Sequence, residues 1–337
     1  MTSEAAGATP SGQILVVGAA GQVGTQLVER IGTARAVGAG RHAHAPTHLA
    51  DTPWLSIDLE KMAHHTGDAG ERLRALGELT AVICAGAATD VNRCEGAPAW
   101  AMAVNADGPA ALAAATTTTT PFIYFSTEYV FDGGAESNAT RGPYREDSRP
   151  RPISVYGASK LRGEEMILRA RPDALIVRTT VVYGADPARK NFLYYLHREL
   201  SAGHTVHVVT DQISTPTAND DLARATLLLL QRGCTGIYHV CGPELLSRYE
   251  FALRAAELLG LDSRLIEPTT TDALGQCARR PLAAGLRTDK LRATLGDSVM
   301  QPMDVGVEAW ARRSLSLRET APEPALGAAH LIRYTLP

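Results

Sequence analysis

The sequence predicts an α/β fold of the Rossmann type: a doubly wound parallel sheet, followed by a smaller C-terminal substrate lobe. Short apolar runs alternate with helical patterns from Gln13 to about Tyr183, a glycine-rich segment follows the first run, and the alternation loosens beyond Tyr183. Apolar runs separated by helices of this length form βαβ units, whose parallel sheet is covered on both faces. A chain of 337 residues has room for one large domain or two closely joined ones.

The elements of the first part follow one another in regular order. The runs of four apolar residues at 14–17 and 81–84 are typical of buried strands. The segment 153–170 has the spacing of a long amphipathic helix. We expect strands over 14–17, 36–39, 54–57, 81–84, 122–125 and 175–177, and helices over 22–30, 97–115 and 153–170.

The second part predicts a lobe without a large core of its own. We expect helices over 190–202, 219–231, 247–259 and 304–315, with short strands at 206–208 and 237–240. Such a lobe would cover the carboxyl edge of the sheet, where open α/β sheets bind ligands. The chain is thereby divided into a disordered tail (1–12), a dinucleotide-binding Rossmann domain (13–185, returning in part at 204–240) and a mainly substrate-binding lobe (186–330).

Composition excludes several classes of protein. Lys and Arg total 33 against 36 acidic residues, and only 5% of residues are aromatic, so we expect no nucleic-acid partner. No apolar run approaches the roughly 20 residues of a membrane span, and the N-terminus has no signal-peptide pattern. Five cysteines without a C-x-x-C pair indicate reduced thiols. These features predict a cytoplasmic protein that acts on small molecules.

The glycine-rich segment GAAGQVG follows the first strand and begins the first helix. In such a turn Gly18 would make the tight bend, Gly21 would let the backbone approach a pyrophosphate, and Gly24 would let the helix pack on the strand. The pyrophosphate would then meet unpaired N–H groups at the positive end of the helix dipole. The strand–turn–helix context therefore predicts a dinucleotide site.

The residues after the second strand indicate which dinucleotide is bound. No acidic residue occurs between Thr33 and Ala50, where an acid usually holds the ribose 2′-hydroxyl of NAD. Arg41 stands at the end of that strand instead, and an arginine there can pair with a 2′-phosphate. The sequence therefore favours NADP(H).

Two neighbouring groups of residues have less specific patterns. Asp58 and Leu59 close the third strand, where they could touch the adenine edge, although Asp58 could equally cap a helix. His42, His44 and His48 have no spacing typical of a metal site, so we predict a solvated loop and no metal.

A second constellation lies on the long helix. Tyr156 and Lys160 are four residues apart and share one helix face. A nearby ammonium favours a phenolate, so we expect Lys160 to lower the pKa of Tyr156. Tyr156 could then donate a proton to a carbonyl oxygen while a nicotinamide delivers hydride. Ser126 and Thr127 end an earlier strand, and a hydroxyl there could hydrogen-bond the same oxygen.

These motifs, in this order, resemble the extended short-chain dehydrogenases/reductases, and within them the dTDP-4-dehydrorhamnose reductase branch. The similarity runs from the glycine turn to about residue 292. It includes ICAGAATDVNRCE with Asn105 in the following helix, STEYVFDG (126–133), YREDSRPRPISVYGASKLRGEE (144–165), RTTVVYG (178–184), DQISTPT (211–217) and ARRP (278–281).

The resemblance implies three sets of site residues. The catalytic residues would be Thr127, Tyr156 and Lys160. NADP(H) would be lined by Gly18, Gly21, Gln22, Val23, Gly24, Arg41, Asp58, Leu59, Ala85, Gly86, Ala87, Asn105, Tyr156 and Lys160. The substrate would be met by Thr127, Glu128, Tyr129, Val181, Gln212 and Arg280. The family also contains many homodimers, so the resemblance allows one here.

Three positions differ from the branch. Glu128 stands where aspartate is usual, Val181 where a tryptophan is usual, and 282–284 (Leu-Ala-Ala) where a polar Asn-Ser type pair is usual. These differences predict a related but different substrate. The resemblance implies an NADPH-dependent reductase of a keto-deoxysugar, most simply a nucleotide-linked (dTDP-) 4-keto-6-deoxyhexose, in deoxysugar or secondary-metabolite biosynthesis.

Two alternatives remain open at this point. Extended relatives that dehydrate, decarboxylate or epimerise nucleotide sugars recycle bound NAD and often use an acid beside the threonine, a position held here by Glu128, although Arg41 speaks against NAD. Glu128 could instead orient Tyr129 or meet Arg145. The resemblance also extends to the non-catalytic, NADP-binding beta subunit of methionine adenosyltransferase.

Overall fold

A computed structural model describes residues 12–66, 68–134 and 142–315. The predicted disordered tail lies, except for Gly12, outside the described residues, as does the end of the predicted lobe beyond 315. The core is a seven-stranded parallel sheet with the order β3-β2-β1-β4-β5-β6-β11. Its strands are β1 (Gln13–Val17), β2 (Ala36–Gly40), β3 (Trp54–Ser56), β4 (Leu79–Cys84), β5 (Phe122–Thr127), β6 (Leu175–Thr179) and β11 (Gly236–His239).

Both faces of the sheet are covered, as the continuous apolar runs predict. Ile14 and Val16 point to one face, and Leu15 and Val17 to the other. The first face carries α1 (Gln22–Ile31), α9 (Asn219–Gln231) and α12 (Asp289–Leu295). The second carries α2 (Leu59–Ala63), α3 (Ala69–Ala75), α6 (Gly108–Ala115) and α7 (Val155–Ala170). The predicted fold class is thereby confirmed.

A second, smaller core lies beyond the sheet. Phe192, Leu196, Phe251, Val307 and Trp310 are buried against one another there. Its elements are β7 (Val182–Tyr183), α8 (Phe192–Ser201), β8 (Val206–Val209), β9 (Ile213–Ser214), β10 (Thr217–Ala218), β12 (Leu246–Ser247), α10 (Arg248–Leu258), β13 (Ile266–Thr269), α11 (Thr271–Leu274) and α13 (Met303–Leu315). Three two-stranded pairs, β7–β10, β9–β12 and β8–β13, link these helices.

The predicted helix over 97–115 is confirmed as a continuous helical run from Pro98 to Ala115, but the run is not α-helical throughout. After α4 (Val91–Gly96), α5 (Pro98–Met102) passes through a π-helical turn, Ala103–Asp107, before α6 begins. A π turn inside a helix often marks a functional site. Here it contains Asn105.

The described helices include none that is both long enough and apolar enough to cross a membrane. All five cysteines are free thiols, as the odd count predicts.

Candidate active site

The site lies where the chain order of the sheet reverses, at the carboxyl ends of β1 and β4. The chain leaves β1 toward β2 on one side and enters β4 on the other. Helices connecting neighbouring strands then diverge, which leaves a crevice at this point of an open sheet. The glycine turn after β1 and residues 85–88 after β4 form its two walls.

The three glycines of the turn have different surroundings. Gly18 has φ +84°, and a Cβ there would lie 2.4 Å from the amide nitrogen of Gly86. A Cβ on Gly24 would lie 2.2 Å from the carbonyl oxygen of Gly18. Gly21 is exposed, and a Cβ there would meet only that same oxygen, at 3.4 Å. Gly18 and Gly24 thus permit close packing, while Gly21 leaves room for a ligand at the start of α1.

Arg41 and Asp58, both predicted to lie near the adenosine part of the cofactor, have different surroundings in the structure. Arg41 is exposed just beyond β2, and its side chain makes no hydrogen bond or ion pair with the described residues. Asp58 caps α2, since its Oδ1 accepts the N–H of Glu60 at 3.0 Å. Leu59 is buried beside Gly86. Helix capping is therefore a role that Asp58 fills in this structure.

Asn105 holds the wall formed after β4. From the π turn, its Oδ1 accepts the N–H of Ala88 (2.8 Å), and its Nδ2 donates to the Ala88 carbonyl and to the Ser159 hydroxyl (3.0 Å each). The carbonyl of Asn105 in turn accepts the hydroxyl of Tyr124. Because both donors of the Asn105 side chain are used within the protein, it positions the loop, and direct contact with a cofactor stays a prediction.

Thr127 and Tyr156, two of the three predicted catalytic residues, meet at the carboxyl end of β5. Thr127 ends that strand, and Tyr156 lies in the first turn of α7, whose N-cap Ser154 accepts the N–H of Gly157. The rings of Tyr129 and Tyr156 pack edge to face, with centroids 5.4 Å apart. Burial raises the pKa of the Tyr156 phenol, while its hydrogen bond with Thr127 acts in the opposite direction.

Lys160 lies one turn deeper and is almost fully buried. Its Nζ lies over the ring of Tyr124, 4.0 Å from the centroid. Burial lowers the pKa of Lys160 to about 8, although Cys84 and Glu164 act to raise it. The predicted lowering of the Tyr156 pKa by Lys160 is wrong for this structure, because desolvation dominates and the ammonium lies against Tyr124.

A buried ion pair lies beneath these residues and was missed from the sequence. Arg178 of β6 donates from Nε (2.9 Å) and Nη2 (2.6 Å) to the carboxylate of Glu164, and the Ser126 hydroxyl donates to the same carboxylate. Ser126 is therefore engaged below the site, and of the two strand-end hydroxyls only Thr127 is available to a substrate. The alternation of β5 could have indicated this, since neighbouring side chains point to opposite faces.

Glu128 faces the smaller lobe. The Ser214 hydroxyl of β9 donates to its carboxyl group, and burial raises the pKa of Glu128 to about 8. Glu128 is therefore mostly protonated at neutral pH. The alternative pairing with Arg145 is wrong, because Arg145 lies 3.6 Å from Asp147 instead.

The remaining predicted substrate residues, Arg280, Gln212 and Val181, have separate partners in the structure. Arg280 is buried, and its Nη1 donates to the Tyr129 hydroxyl and its Nη2 to Oδ1 of Asn92, both at 3.3 Å. Gln212 donates instead to the Thr271 hydroxyl at 2.9 Å, so its amide is used within the lobe. Val181 lies in the turn between β6 and β7, where its carbonyl accepts the N–H of Thr217. Of the adjacent arginines in ARRP, Arg279 is exposed.

The fold and the cluster of Thr127, Tyr156 and Lys160 define an oxidoreductase of the extended short-chain dehydrogenase/reductase class. A family model described as the RmlD substrate binding domain matches residues 12–309. The chain belongs to this family, which confirms the resemblance found in the sequence.

Named relatives and solved structures agree with that assignment. A probable low-salt glycan biosynthesis reductase from Haloferax volcanii is 36% identical over 290 residues, covering 84% of this chain and 92% of that protein. A dTDP-4-dehydrorhamnose reductase from Mycobacterium tuberculosis is 37% identical over 267 residues, covering 77% of this chain and 80% of that protein. The crystal structure of a Bacillus anthracis dTDP-4-dehydrorhamnose reductase with NADP aligns with a TM-score of 0.77 and 25% identity, over 90% of this chain and 100% of that one.

Proposed function

We propose that this enzyme reduces the ketone of a nucleotide-linked 4-keto-6-deoxyhexose with NADPH, in the biosynthesis of a deoxysugar. The observation that carries the proposal is the contact between Thr127 and Tyr156 at the carboxyl end of β5, the sheet edge at which the glycine turn also lies. A proton donor and a hydroxyl thus lie next to a dinucleotide crevice, which is the arrangement that carbonyl reduction requires. Several relatives are named as reductases of dTDP-linked keto sugars.

The cofactor is NADP(H), and the residues of the crevice fit it. The Bacillus anthracis relative was crystallised with NADP. In this chain, the open space above Gly21 suits a pyrophosphate at the start of α1, and the exposed guanidinium of Arg41 suits a 2′-phosphate. When bound, NADPH supplies the hydride that reduces the ketone carbon.

Tyr156 supplies the proton. Because its pKa is raised by burial, the phenol stays protonated at neutral pH, which is the form that a proton donor in a reduction needs. Its edge-to-face contact with Tyr129 fixes the ring. The proton passes from the Tyr156 hydroxyl to the ketone oxygen as negative charge develops there.

Thr127 and Lys160 support this transfer. The Thr127 hydroxyl, hydrogen-bonded to the phenol, orients it and can donate to the same ketone oxygen. Lys160 is mostly protonated below pH 8, and its buried ammonium adds positive potential one helical turn from Tyr156. Lys160 would also help to hold the nicotinamide ribose of the cofactor.

The proposal is tested by following loss of NADPH absorbance with dTDP-4-keto-6-deoxyglucose, prepared with and without a 3,5-epimerase. Consumption with either sugar supports a nucleotide-sugar 4-ketoreductase and identifies the epimer that it accepts. Tightly bound NAD in the purified protein, with no net NADPH consumption, would instead indicate a recycling epimerase or dehydratase. NADPH binding without turnover of either sugar counts against the proposed substrate.

A further inference from the structure

Arg248 is placed at the substrate side of the site by a chain of hydrogen bonds. Its N–H donates to the carbonyl of Gln212 at 3.0 Å, and the preceding Ser247 pairs with Ile213 in the β9–β12 ladder. The next residue of β9, Ser214, donates to Glu128. Since Glu128 follows Thr127 directly, this ladder brings the start of α10 next to the catalytic cluster. Nothing in the sequence marks Arg248, because an arginine in the first turn of a helix is an ordinary surface residue.

The charge of Arg248 is not balanced locally. Its guanidinium makes no hydrogen bond or ion pair with any residue in the described part of the chain, and it lies 5.6 Å from the ring centroid of Phe192. The side chain is half-buried. The nearby acid is Glu128, whose carboxyl is mostly neutral at pH 7 because burial raises its pKa to about 8.

A second cation adds to the positive potential of this region. Burial lowers the pKa of the Arg248 guanidinium, and the charge of Arg280 acts in the same direction, while Tyr129 and Glu128 act to raise that pKa. Arg280 also reaches the Tyr129 hydroxyl, next to Tyr156. A partly desolvated cation without a counter-ion, beside a like charge, is unfavourable unless a ligand supplies the opposite charge.

We propose that Arg248 binds a negatively charged group of the substrate, an oxyanion that accepts two parallel N–H bonds from the guanidinium. This inference rests on the proposed function only in taking the ligand to be a nucleotide-linked sugar. The oxyanion can come from two sources, the diphosphate between sugar and nucleotide or a carboxylate on the sugar itself.

The experiment compares two ligands that differ only in the carboxylate. dTDP-glucose and dTDP-glucuronic acid are titrated calorimetrically into the NADP⁺-loaded protein and into its Arg248→Gln variant. Loss of a charge-assisted bidentate contact should weaken binding by about tenfold or more. Equal weakening for both ligands assigns the diphosphate to Arg248, whereas weakening for dTDP-glucuronic acid alone assigns a sugar carboxylate.

Two variants serve as controls. Arg264→Gln removes an exposed arginine that pairs with Asp262 and should leave both affinities unchanged. Arg248→Lys keeps the charge but not the planar fork and should bind more weakly than wild type and more tightly than Arg248→Gln. Thermal unfolding should show no loss of stability in Arg248→Gln, because that variant removes an unpaired cation.

Unchanged affinity of Arg248→Gln for both ligands would overturn the proposal, as would a wild-type protein that binds neither ligand. Because binding needs no turnover, the proposed reaction is judged separately. Inactivity toward keto sugars, combined with binding that depends on Arg248, would count against the reaction and not against the anion site.

Discussion

At the scale of single residues, the proposed reaction depends most directly on the Tyr156 hydroxyl. Tyr156→Phe removes the proton donor and leaves the ring that packs against Tyr129. We expect turnover to fall by roughly 10²–10⁴-fold, the usual worth of general acid catalysis, with little change in NADPH affinity. Steady-state kinetics and NADPH fluorescence titration measure the two quantities. As a control, Tyr194→Phe deletes a half-buried hydroxyl that is bonded to Ser314 in the smaller lobe, and this variant should keep full activity. Normal turnover in Tyr156→Phe would show that Tyr156 is not the proton donor.

Lys160 is a proposed functional residue whose burial lowers the stability of the folded protein. Folding lowers its pKa from 10.5 to about 8, so between these values the unfolded chain keeps a proton that the folded chain has lost. The free energy of unfolding of the wild type should therefore rise with pH relative to Lys160→Met, by about 2 kcal/mol between pH 7 and pH 9.5. Urea denaturation of both proteins at the two pH values measures this difference.

The matched control is Lys290→Met, which removes an exposed amine that also lies over a tyrosine ring, 3.9 Å from the centroid of Tyr238. Its pH dependence should follow that of the wild type. Parallel pH dependence of Lys160→Met and wild type would show that burial does not perturb Lys160. The same Lys160→Met variant should lose both turnover and cofactor affinity, since the proposal places its amine at the ribose.

At the scale of elements, the close contact between α7 and the π turn positions the loop after β4. A Cβ on Gly163 would lie 2.4 Å from the carbonyl oxygen of Asn105 and 2.6 Å from the Tyr124 hydroxyl. Alanine normally stabilises a helix interior by up to about 1 kcal/mol relative to glycine. Here Gly163→Ala should instead destabilise the protein by roughly 1–3 kcal/mol, because neither neighbour can withdraw without breaking a hydrogen bond.

Gly70 of α3 provides the comparison. A Cβ there would meet only the Arg74 side chain, at 3.7 Å, so Gly70→Ala should be neutral or stabilising by up to about 1 kcal/mol. Chemical denaturation of both variants gives the two free energies of unfolding. Equal free energies of unfolding for Gly163→Ala and Gly70→Ala would mean that α7 and the π turn are not packed as closely as described. We also expect Gly163→Ala to weaken NADPH binding, because Asn105 holds the wall that faces the glycine turn.

The helices and strands also show which parts of the fold could be predicted from the sequence. Strands β1 and β4 were predictable because four consecutive apolar residues have no alternative to burial, and the glycine turn because its conformation requires glycine. The π turn within the helix over 97–115 was not predictable, since the alanine-rich segment carries no pattern that distinguishes α from π hydrogen bonding. Candidate catalytic residues that belong to a motif could be predicted from the sequence. Arg248, Glu164 and Ser214 could not, because their roles depend on contacts between segments distant in the chain.

At the scale of the whole molecule, the strand order explains why the cofactor and substrate groups meet. The reversal between β1 and β4 opens the cofactor crevice, and the chain beyond β6 returns through β9 and β12 to cover its far end. Residues more than 100 positions apart, such as Thr127 and Arg248, are thereby brought to one edge of the sheet. A ligand that spans this edge contacts both cores, so its binding should stabilise the folded molecule as a unit.

Cofactor preference can therefore be measured as the increase in the stability of the whole protein when NADPH or NADH binds. At a concentration about 100 times its dissociation constant, NADPH should raise the free energy of unfolding by about 2.7 kcal/mol, roughly a 4 °C increase in Tm for a chain of this size. NADH at the same concentration should give a smaller shift, because it lacks the 2′-phosphate that Arg41 is placed to bind. Arg41→Ala should reduce the NADPH shift toward the NADH value, whereas Arg169→Ala, at the far end of α7, should change neither. Equal shifts for the two cofactors in the wild type would mean that the guanidinium beyond β2 does not select between them, and that cofactor choice is made elsewhere along the crevice.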